Sequence, residues 1–337
     1  MTTYDFNKYS EYINYGGRII YRNGEAILGY TLSYAGFKVK GSLATVDFRT
    51  EDNGVENRPG LRVYVDGKIY KEIVLDKPKE TIEVYKGDDD KAHTVKILKI
   101  TEAAMSFAGI SRLSVDGELL SVDKTDDRLK VQFIGDSITC GFGVYGAPEA
   151  EYTIRDEDGE LCYAGVLTKR LNLNAQFVSV SGYGMFVEYT GDPEGVVPRV
   201  YDYTNAFYDR DERIDHSEFE PDIIVVNLGT NDSGLVGDPT ILHGFLSRYE
   251  SFLYLLRKEH KNSAILCTIG TLAPGMYDHV SKVIEKVKSQ GFEKIYGLEL
   301  PFHDVEHDGV AAGHPTKITH EKDAKRLEDF LKNEGLI

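Results

Sequence analysis

The sequence predicts two domains, an all-β N-terminal half and an α/β C-terminal half built on a five-stranded parallel sheet. Up to about residue 122, short alternating segments follow one another between turn residues, without a helical period. From residue 130, five runs rich in β-branched residues alternate with helical patterns instead. The stretch at 123–129 between them is polar and charge-dense, as linkers are. We therefore expect domains at 1–122 and 130–337.

The N-terminal half is expected to hold seven or more strands, arranged as a sandwich of the jelly-roll kind. Its strongest local signal is a hairpin, in which segments 61–64 and 68–74 are joined by Asp66-Gly67. Further strands are predicted at 18–21, 30–34, 42–48, 81–85, 94–100 and 110–115. A second Asp-Gly pair, at 116–117, is expected to end the last of these strands.

The C-terminal half is expected to fold as a flavodoxin-like sheet covered by helices. Its strands are predicted at 130–134, 176–181, 222–227, 264–269 and 294–300. A segment from Leu242 carries apolar residues at i, i+3, i+4 and i+7, which predicts a helix. A second stripe at Val280, Ile284 and Val287 and the last 20 residues of the chain predict two more. Ligands of such folds bind beyond the carboxyl ends of the strands.

The composition excludes several classes of partner. Lys+Arg 39 against Asp+Glu 55 gives a net charge of -16 without a basic patch, which disfavours nucleic acid and anionic lipid surfaces. No apolar run reaches the ~18 residues of a membrane span, and the first residues lack the apolar core of a signal peptide. We expect a cytoplasmic protein, for which a homo-oligomer is compatible with the sequence. Three cysteines are an odd count without metal-like spacing and predict reduced thiols.

Glycine-rich turns follow the first three predicted parallel strands. They read GDSITCGFG at 135–143, SGYG at 181–184 and GTND at 229–232, and a fourth short block, GHPT, spans 313–316. A glycine-rich turn after a first strand can also hold a phosphate or dinucleotide. However, the spacing fits neither G-x-G-x-x-G nor G-x-x-x-x-G-K-[ST], and no lysine is suitably placed. Nucleotide binding is the weaker interpretation.

The four blocks resemble those of the SGNH, or GDSL-type, hydrolases, which carry a serine, a glycine, an asparagine and a histidine in this order. The matching residues are Ser137, Gly182, Asn231 and His314. An all-β domain before such a domain resembles carbohydrate esterase family 2, as does the stretch ITEAAMSF at 100–107. The resemblance covers nearly the whole chain. It implies an esterase that removes acetyl groups from plant-wall polysaccharides, with a preference for the sugar 6-hydroxyl.

The chemistry follows from these residue types. Ser137 would attack an ester carbonyl, and His314 would take its proton and later activate water, without any cofactor. The resemblance assigns the oxyanion hole to the N–H groups of Ser137 and Gly182 and to the Asn231 amide. Taken singly, the serine could be a helix cap, the glycine a positive-φ position and the asparagine an Asx turn. An acetylated oligosaccharide is the expected substrate.

The position that usually carries the third member of the triad departs from the pattern. Most SGNH enzymes have an acid three residues before the histidine, but residue 311 is Ala311. The resemblance allows a Ser-His pair whose histidine is oriented by a backbone carbonyl, and this is our first hypothesis. Asp308 or Glu306 could serve instead from further back. Without a carboxylate beside it, His314 is expected to titrate nearer the ordinary value of ~6.5 than a triad histidine would.

A motif for zinc proteases, H-x-x-E-H, occurs at His303 and His307. It needs a helix to bring both histidines onto one face, and the flanking Pro301 and Gly309 predict a loop. We therefore predict that no metal is required.

Sugar recognition needs an aromatic platform, and the chain has no tryptophan. Tyr183 and Tyr145, close in sequence to Gly182 and Ser137, are the candidates, with ordinary packing as the alternative role. Two other functions compete with acetyl esterase activity. One is a sugar-binding protein with a silenced hydrolase site, which the intact serine, asparagine and histidine argue against. The other is a lipase-like or thioester hydrolase on the same scaffold, although the chain has no basic amphipathic helix for lipid surfaces.

Overall fold

The computed structural model describes residues 1–6, 11–51, 54–87, 90–149, 151 and 153–337. The chain divides into two compact units. The first unit comprises Met1–Asp127 together with Thr153–Arg155 and Thr204–Glu212. The second unit comprises Arg128–Tyr152, Asp156–Tyr203 and Arg213–Ile337.

The first unit is built from antiparallel strands, so the prediction of an all-β first half is confirmed. The strands are β1 (Thr2–Asp5), β2 (Ile13–Gly16), β3 (Ile19–Arg22), β4 (Glu25–Leu28), β5 (Tyr34–Arg49), β6 (Gly60–Val65), β7 (Lys68–Val74), β8 (Lys79–Lys86), β9 (Ala92–Lys99) and β10 (Ala108–Leu120). Their main order is β3-β4-β10-β5-β9-β6-β7, with β1 on β10 and β2 and β8 on β5. Side chains on β5 alternate between buried and half-exposed, and the buried ones, such as Phe37 and Val46, join one apolar core.

Strand β5 differs from the sequence prediction of two separate strands at 30–34 and 42–48. Residues 30–33 form a turn, in which the Ser33 N–H donates to the Tyr30 carbonyl at 3.1 Å, and one strand of 16 residues follows. The predicted end of β10 at Asp116-Gly117 is also wrong, because the strand continues through a bulge there. A Cβ on Gly41 would lie 2.2 Å from the Asp116 carbonyl oxygen, so a glycine lets the two long strands meet at this point.

The second unit contains the predicted five-stranded parallel sheet. Its strands are β11 (Lys130–Gly135), β12 (Asn174–Ser179), β15 (Ile223–Asn227), β16 (Ala264–Ile269) and β17 (Ile295–Glu299). Strands β13 (Tyr203–Asn205) and β14 (Asp209–Arg213), most of whose residues belong to the first unit, pair with each other in a separate two-stranded sheet. The order β12-β11-β15-β16-β17 is the flavodoxin-like order, 2-1-3-4-5 when the sheet strands are numbered along the chain. Strands β11, β15 and β16 are buried almost throughout, as expected for a parallel sheet covered on both faces.

Seven α-helices are assigned within the described part of the chain. They are α1 (Ser137–Cys140), α2 (Tyr163–Arg170), α3 (Val197–Val200), α4 (Pro239–Glu259), α5 (Tyr277–Ser289), α6 (Val305–Asp308) and α7 (Lys317–Asn333). The three helices predicted from apolar stripes are α4, α5 and α7. Helix α4 shows why: the Asp238 carboxylate caps its first turn by accepting the Thr240 N–H at 2.7 Å, Pro239 occupies the first turn, and its apolar stripe is buried. Over the described residues, no helix is long and apolar enough to cross a membrane.

Candidate active site

The carboxyl ends of three neighbouring strands bring the predicted site residues to one edge of the sheet. Strand β11 lies between β12 and β15, and the chain leaves it at Gly135 to reach Ser137. Gly182 follows β12, and Asn231 follows β15. The order of the strands reverses at β11, and open α/β sheets bind their ligands at such a switch point.

The serine lies at the first position of the short helix α1, on a sharp turn. The Asp136 carboxylate caps this helix by accepting the Ile138 N–H at 3.0 Å. Gly141 ends the helix at φ 85°, and its N–H donates to the Ser137 carbonyl at 3.1 Å. A Cβ on Gly141 would lie 2.3 Å from the Asp158 carbonyl oxygen, so only glycine fits there. These contacts hold Ser137, which is 5% exposed, at the helix N-terminus.

Ser137 and His314 are in hydrogen-bond contact. The distance from His314 Nε2 to Ser137 Oγ is 2.9 Å, and that from His314 Nδ1 to the Ala312 carbonyl oxygen is 3.1 Å. Because a carbonyl can only accept, Nδ1 must carry the proton and Nε2 must be the acceptor for the serine hydroxyl. The Phe142 ring packs against the imidazole, with 4.2 Å between the ring centroids. This is the tautomer that a general base for Ser137 requires.

The contact to Ala312 comes from a tight turn rather than from an acidic side chain. Ala311 and His314 exchange two backbone hydrogen bonds, of 2.9 and 2.8 Å, across Ala312 and Gly313. Both central residues have positive φ, 46° and 72°, as in a type I′ turn. For a non-glycine residue such as Ala312, this conformation costs roughly 1–2 kcal/mol.

Asp308, the alternative third member, has a different neighbour in the structure. Its two carboxylate oxygens accept from Lys322 Nζ at 2.6 and 2.7 Å, and its carbonyl accepts from the Thr316 hydroxyl at 2.8 Å. Glu306, the other alternative, is exposed. The histidine is therefore oriented by a peptide carbonyl in this structure.

The other two predicted oxyanion donors, Gly182 and Asn231, lie on two loops that hydrogen bonds tie together. The Asn231 amide donates one hydrogen to the Tyr183 carbonyl at 2.9 Å, which leaves its second hydrogen for another acceptor. The buried Asp232 carboxylate accepts the N–H groups of the three consecutive residues 185–187 at 2.8, 2.8 and 3.0 Å. Gly182, at the start of this loop, has φ 79°. The sequence analysis missed Asp232, although it directly follows Asn231 in the GTND block.

Burial shapes the titration of the site. It lowers the pKa of His314 below the ordinary 6.5, the charge of His303 adds to this, and the Ala312 carbonyl opposes it. The sequence expectation for His314 considered the missing carboxylate but not this burial. Burial also raises the pKa of Asp136 to about 7, with Asp232 as a further cause, and lowers that of the fully buried His320 to about 3.

The candidate substrate tyrosines differ in exposure. Tyr145 is 48% exposed, its hydroxyl donates to Asp158 Oδ2 at 2.9 Å, and Lys317 Nζ lies 4.7 Å from its ring centroid. Tyr183 is half-buried, and its carbonyl is the acceptor described above.

Tyr189, which the sequence analysis missed, is the most exposed aromatic side chain among the described residues of the loop that begins at Gly182. It is 65% exposed, and its ring edge would lie 3.2 Å from a Cβ on Gly182. No motif includes Tyr189, so only the folding of its loop shows that it lies beside Gly182.

The zinc-protease motif forms a short helix where a loop was expected. Asp304 caps α6 by accepting the His307 N–H at 3.1 Å, and its carboxylate also contacts His307 Nδ1 at 2.8 Å. His303 precedes the helix, and its N–H donates to the Thr271 carbonyl. Considering only residues that the structure describes, no group of three or more His, Cys, Asp or Glu side chains could hold a metal ion.

Two protein families match consecutive parts of the chain. Residues 15–122 match the family described as Carbohydrate esterase 2 N-terminal, and residues 133–295 match the GDSL-like Lipase/Acylhydrolase family. The second match covers the segments that carry Ser137, Gly182 and Asn231.

Curated relatives extend over most of the chain. A cellulase/esterase, CelE, of Acetivibrio thermocellus is 30% identical over 294 residues, which are 84% of this chain and 35% of that protein. The chain thus spans about a third of the length of this relative. An acetylxylan esterase / glucomannan deacetylase of Cellvibrio japonicus is 21% identical over 310 residues, 90% of this chain and 84% of that protein.

Solved structures are similar to this chain over nearly its whole length. A family two carbohydrate esterase from Clostridium thermocellum in complex with cellohexaose has a TM-score of 0.87 and 27% identity, covering 96% of this chain and 100% of that one. An acetyl xylan esterase, Est2A, from the rumen bacterium Butyrivibrio proteoclasticus has a TM-score of 0.90 and 24% identity, covering 100% and 99%. At 24% identity, the likeness to Est2A shows a common fold alone.

Proposed function

Since the chain belongs to the family 2 carbohydrate esterases, we propose that it is a serine esterase that removes O-acetyl groups from plant-cell-wall saccharides. Acetylated xylan or mannan oligosaccharides are the proposed substrates. The observation that carries the proposal is the line of contacts from Ser137 Oγ through both ring nitrogens of His314 to the Ala312 carbonyl.

The reaction would proceed through an acetyl-enzyme. Ser137 Oγ attacks the ester carbonyl while its proton passes to His314 Nε2, and Nδ1–H remains bound to the Ala312 carbonyl. The tetrahedral intermediate collapses when His314 returns the proton to the leaving sugar oxygen. His314 then takes a proton from water, which attacks the acetyl group and releases acetate and free Ser137.

The oxyanion would be stabilised by groups that are already in place. The Ser137 N–H belongs to the first turn of α1, where N–H groups have no partner within the helix. The Asn231 amide has a hydrogen beyond the one bound to Tyr183, and the Asp232 contacts order the loop that begins at Gly182. One preorganised donor of this kind can lower a barrier by ~2.7–4 kcal/mol.

Saccharide recognition is assigned to exposed tyrosines. Tyr189 beside Gly182 and Tyr145 on the loop after α1 offer ring faces to which a sugar can stack. The backbone carbonyl of Tyr183 already accepts from the Asn231 amide, so the Tyr183 ring is a secondary candidate for sugar stacking. A preference for 6-O-acetyl groups is part of the proposal, and NMR spectra of a partly acetylated oligosaccharide during digestion would identify the position that is lost first.

The direct test compares esters on the wild-type protein and on Ser137→Ala. p-Nitrophenyl acetate and acetylated xylo- and manno-oligosaccharides should be hydrolysed, and a long-chain p-nitrophenyl ester and acetyl thioester much less. Ser137→Ala should abolish turnover with an unchanged melting temperature, and Ser251→Ala, an exposed serine on α4, should match wild type. Turnover by Ser137→Ala near the wild-type rate would exclude the serine mechanism. Sugar binding without any turnover would indicate a binding protein with a silenced site.

A further inference from the structure

The segment 143–147, which follows the serine helix, packs directly against the turn that holds His314. The Ala312 N–H donates to the Ala147 carbonyl at 3.0 Å. A Cβ on Gly146 would lie 2.9 Å from the Ala312 Cβ, and a Cβ on Gly143 would lie equally close to it. Glycine at these positions therefore lets the segment contact Ala312 at van der Waals distance.

The segment itself is held by several hydrogen bonds. The Gly146 N–H donates to the Gly143 carbonyl at 2.7 Å, and the Tyr145 N–H donates to the Asp156 carbonyl at 3.1 Å. The Tyr145 hydroxyl binds the buried Asp158 carboxylate at 2.9 Å. By contrast, Ala312 lies at the tip of a two-residue turn. A clash between the two would thus move Ala312 rather than the segment.

The backbone N–H and the backbone carbonyl of Ala312 bind two different partners. Its N–H contacts Ala147, and its carbonyl contacts His314 Nδ1 at 3.1 Å. The segment begins three residues after α1, so one short stretch of chain carries Ser137 and also contacts the residue that orients His314. Any displacement of Ala312 changes the hydrogen bond that fixes the tautomer and direction of the imidazole.

We propose that Gly146 and Ala147 are positioning residues for catalysis, which hold the Ala312 carbonyl against His314 in place of a triad carboxylate. This inference rests on the proposed serine esterase function. It assigns to the loop after the nucleophile the task that an acidic side chain performs in a triad, and it makes the size of residue 146 a determinant of turnover.

The variant Gly146→Ala tests the proposal. Carbon atoms are at their optimal separation at ~3.5–4.0 Å, so the new methyl would push Ala312 away by about 0.6–1 Å. A misplacement of ~1 Å can cost ~10²-fold in rate, so kcat should fall about ten- to a hundredfold with KM little changed. The acid limb of the pH profile should also move to lower pH, because the Ala312 carbonyl raises the pKa of His314. Gly146→Ala leaves unchanged the burial of His314 and the charge of His303, which are the other causes of its pKa shift.

A second substitution supplies the rescue. In Gly146→Ala/Ala312→Gly the facing methyl group is gone, and the nearest remaining atom, the Gly143 carbonyl oxygen, lies 3.1 Å away. The double variant should recover kcat to within about threefold of Ala312→Gly alone, since non-additivity of this kind marks residues in direct contact. Gly237→Ala is the matched control, because a Cβ there meets no atom within 4 Å.

The outcomes separate this inference from the proposed function. Ser137→Ala must be inactive for either to hold. If it is inactive while a folded Gly146→Ala keeps wild-type kcat, or if the double variant is folded and stays as slow as Gly146→Ala, the positioning role is excluded. If Gly146→Ala does not fold, Ala312→Ser presses on the same contact from the turn, and it should lower kcat and shift the acid limb in the same direction. Wild-type behaviour of Ala312→Ser would then overturn the inference.

Discussion

Removal of the Asp308 carboxylate distinguishes a Ser-His pair from a triad. In the structure this carboxylate contacts Lys322 Nζ at 2.6 and 2.7 Å, and the acceptor for His314 Nδ1 is the Ala312 carbonyl. The Asp308 side chain is 5% exposed and that of Lys322 is 48% exposed. Asp308→Ala therefore removes an ion pair at the edge of the site and leaves the orientation of His314 unchanged.

The expected losses of activity and of stability in Asp308→Ala both follow from this arrangement. Loss of the acid in a serine-protease triad costs ~10⁴ in kcat, whereas Asp308→Ala should cost less than ~tenfold in kcat/KM. A partly exposed ion pair contributes up to ~1 kcal/mol of stability, because water replaces the partner of the exposed ammonium. The melting temperature should fall by a few degrees at most. The pKa of His303, which Asp308 raises, should fall further below its ordinary value.

The assay measures kcat/KM on p-nitrophenyl acetate together with thermal unfolding. Glu306→Ala is the matched control, because Glu306 is an exposed acid two residues away and the other alternative considered for the triad. We expect both variants within ~tenfold of wild type. A loss of ~10³-fold or more in Asp308→Ala alone, with a preserved unfolding transition, would make Asp308 a third catalytic member and refute the carbonyl-oriented pair.

Four further predictions concern the site. His314 accepts a proton only when it is neutral, and burial lowers its pKa, so kcat/KM should rise with pH below 6.5 and be level above it. A rise in kcat/KM whose midpoint lies above pH 6.5 would contradict this. Asn231→Ala should lower kcat ~100–1000-fold, and a loss under ~tenfold would mean that its amide points elsewhere. Tyr189→Ala should raise KM for acetylated oligosaccharides more than for p-nitrophenyl acetate; if Tyr189→Ala, Tyr145→Ala and Tyr183→Ala all behave as wild type, the sugar platform lies elsewhere. EDTA should leave activity unchanged, whereas a loss that zinc restores would show a metal requirement.

The parallel sheet was easier to predict than the antiparallel unit, for a physical reason. Strands covered on both faces are apolar almost throughout, so strands such as β15 and β16 are distinct in the sequence. In the first unit, Asp116-Gly117 has the composition of a hairpin turn but forms a bulge within β10. Its partner Gly41 is distant along the chain, and local composition does not contain that pairing.

The same limit applies to the candidate site. Ser137, Gly182, Asn231 and His314 could be named in advance, because motif blocks and strand ends mark their positions. The acceptor for His314 could be predicted only as a backbone carbonyl, without its residue, because a peptide group has no signature in the sequence. The contact of Tyr189 with Gly182 likewise depends on the path of a loop.

The carbonyl of Ala312 has a consequence for how this site responds to acid and to mutation. A carboxylate loses its charge when it is protonated, and a single codon change can delete it. A peptide carbonyl does not titrate in the physiological range and is present whichever side chain residue 312 carries. The orienting contact therefore survives acidification and is lost only through changes in backbone conformation. Selection at residue 312 should act on tolerance of positive φ and on small size, so that glycine could replace alanine there, whereas β-branched residues could not.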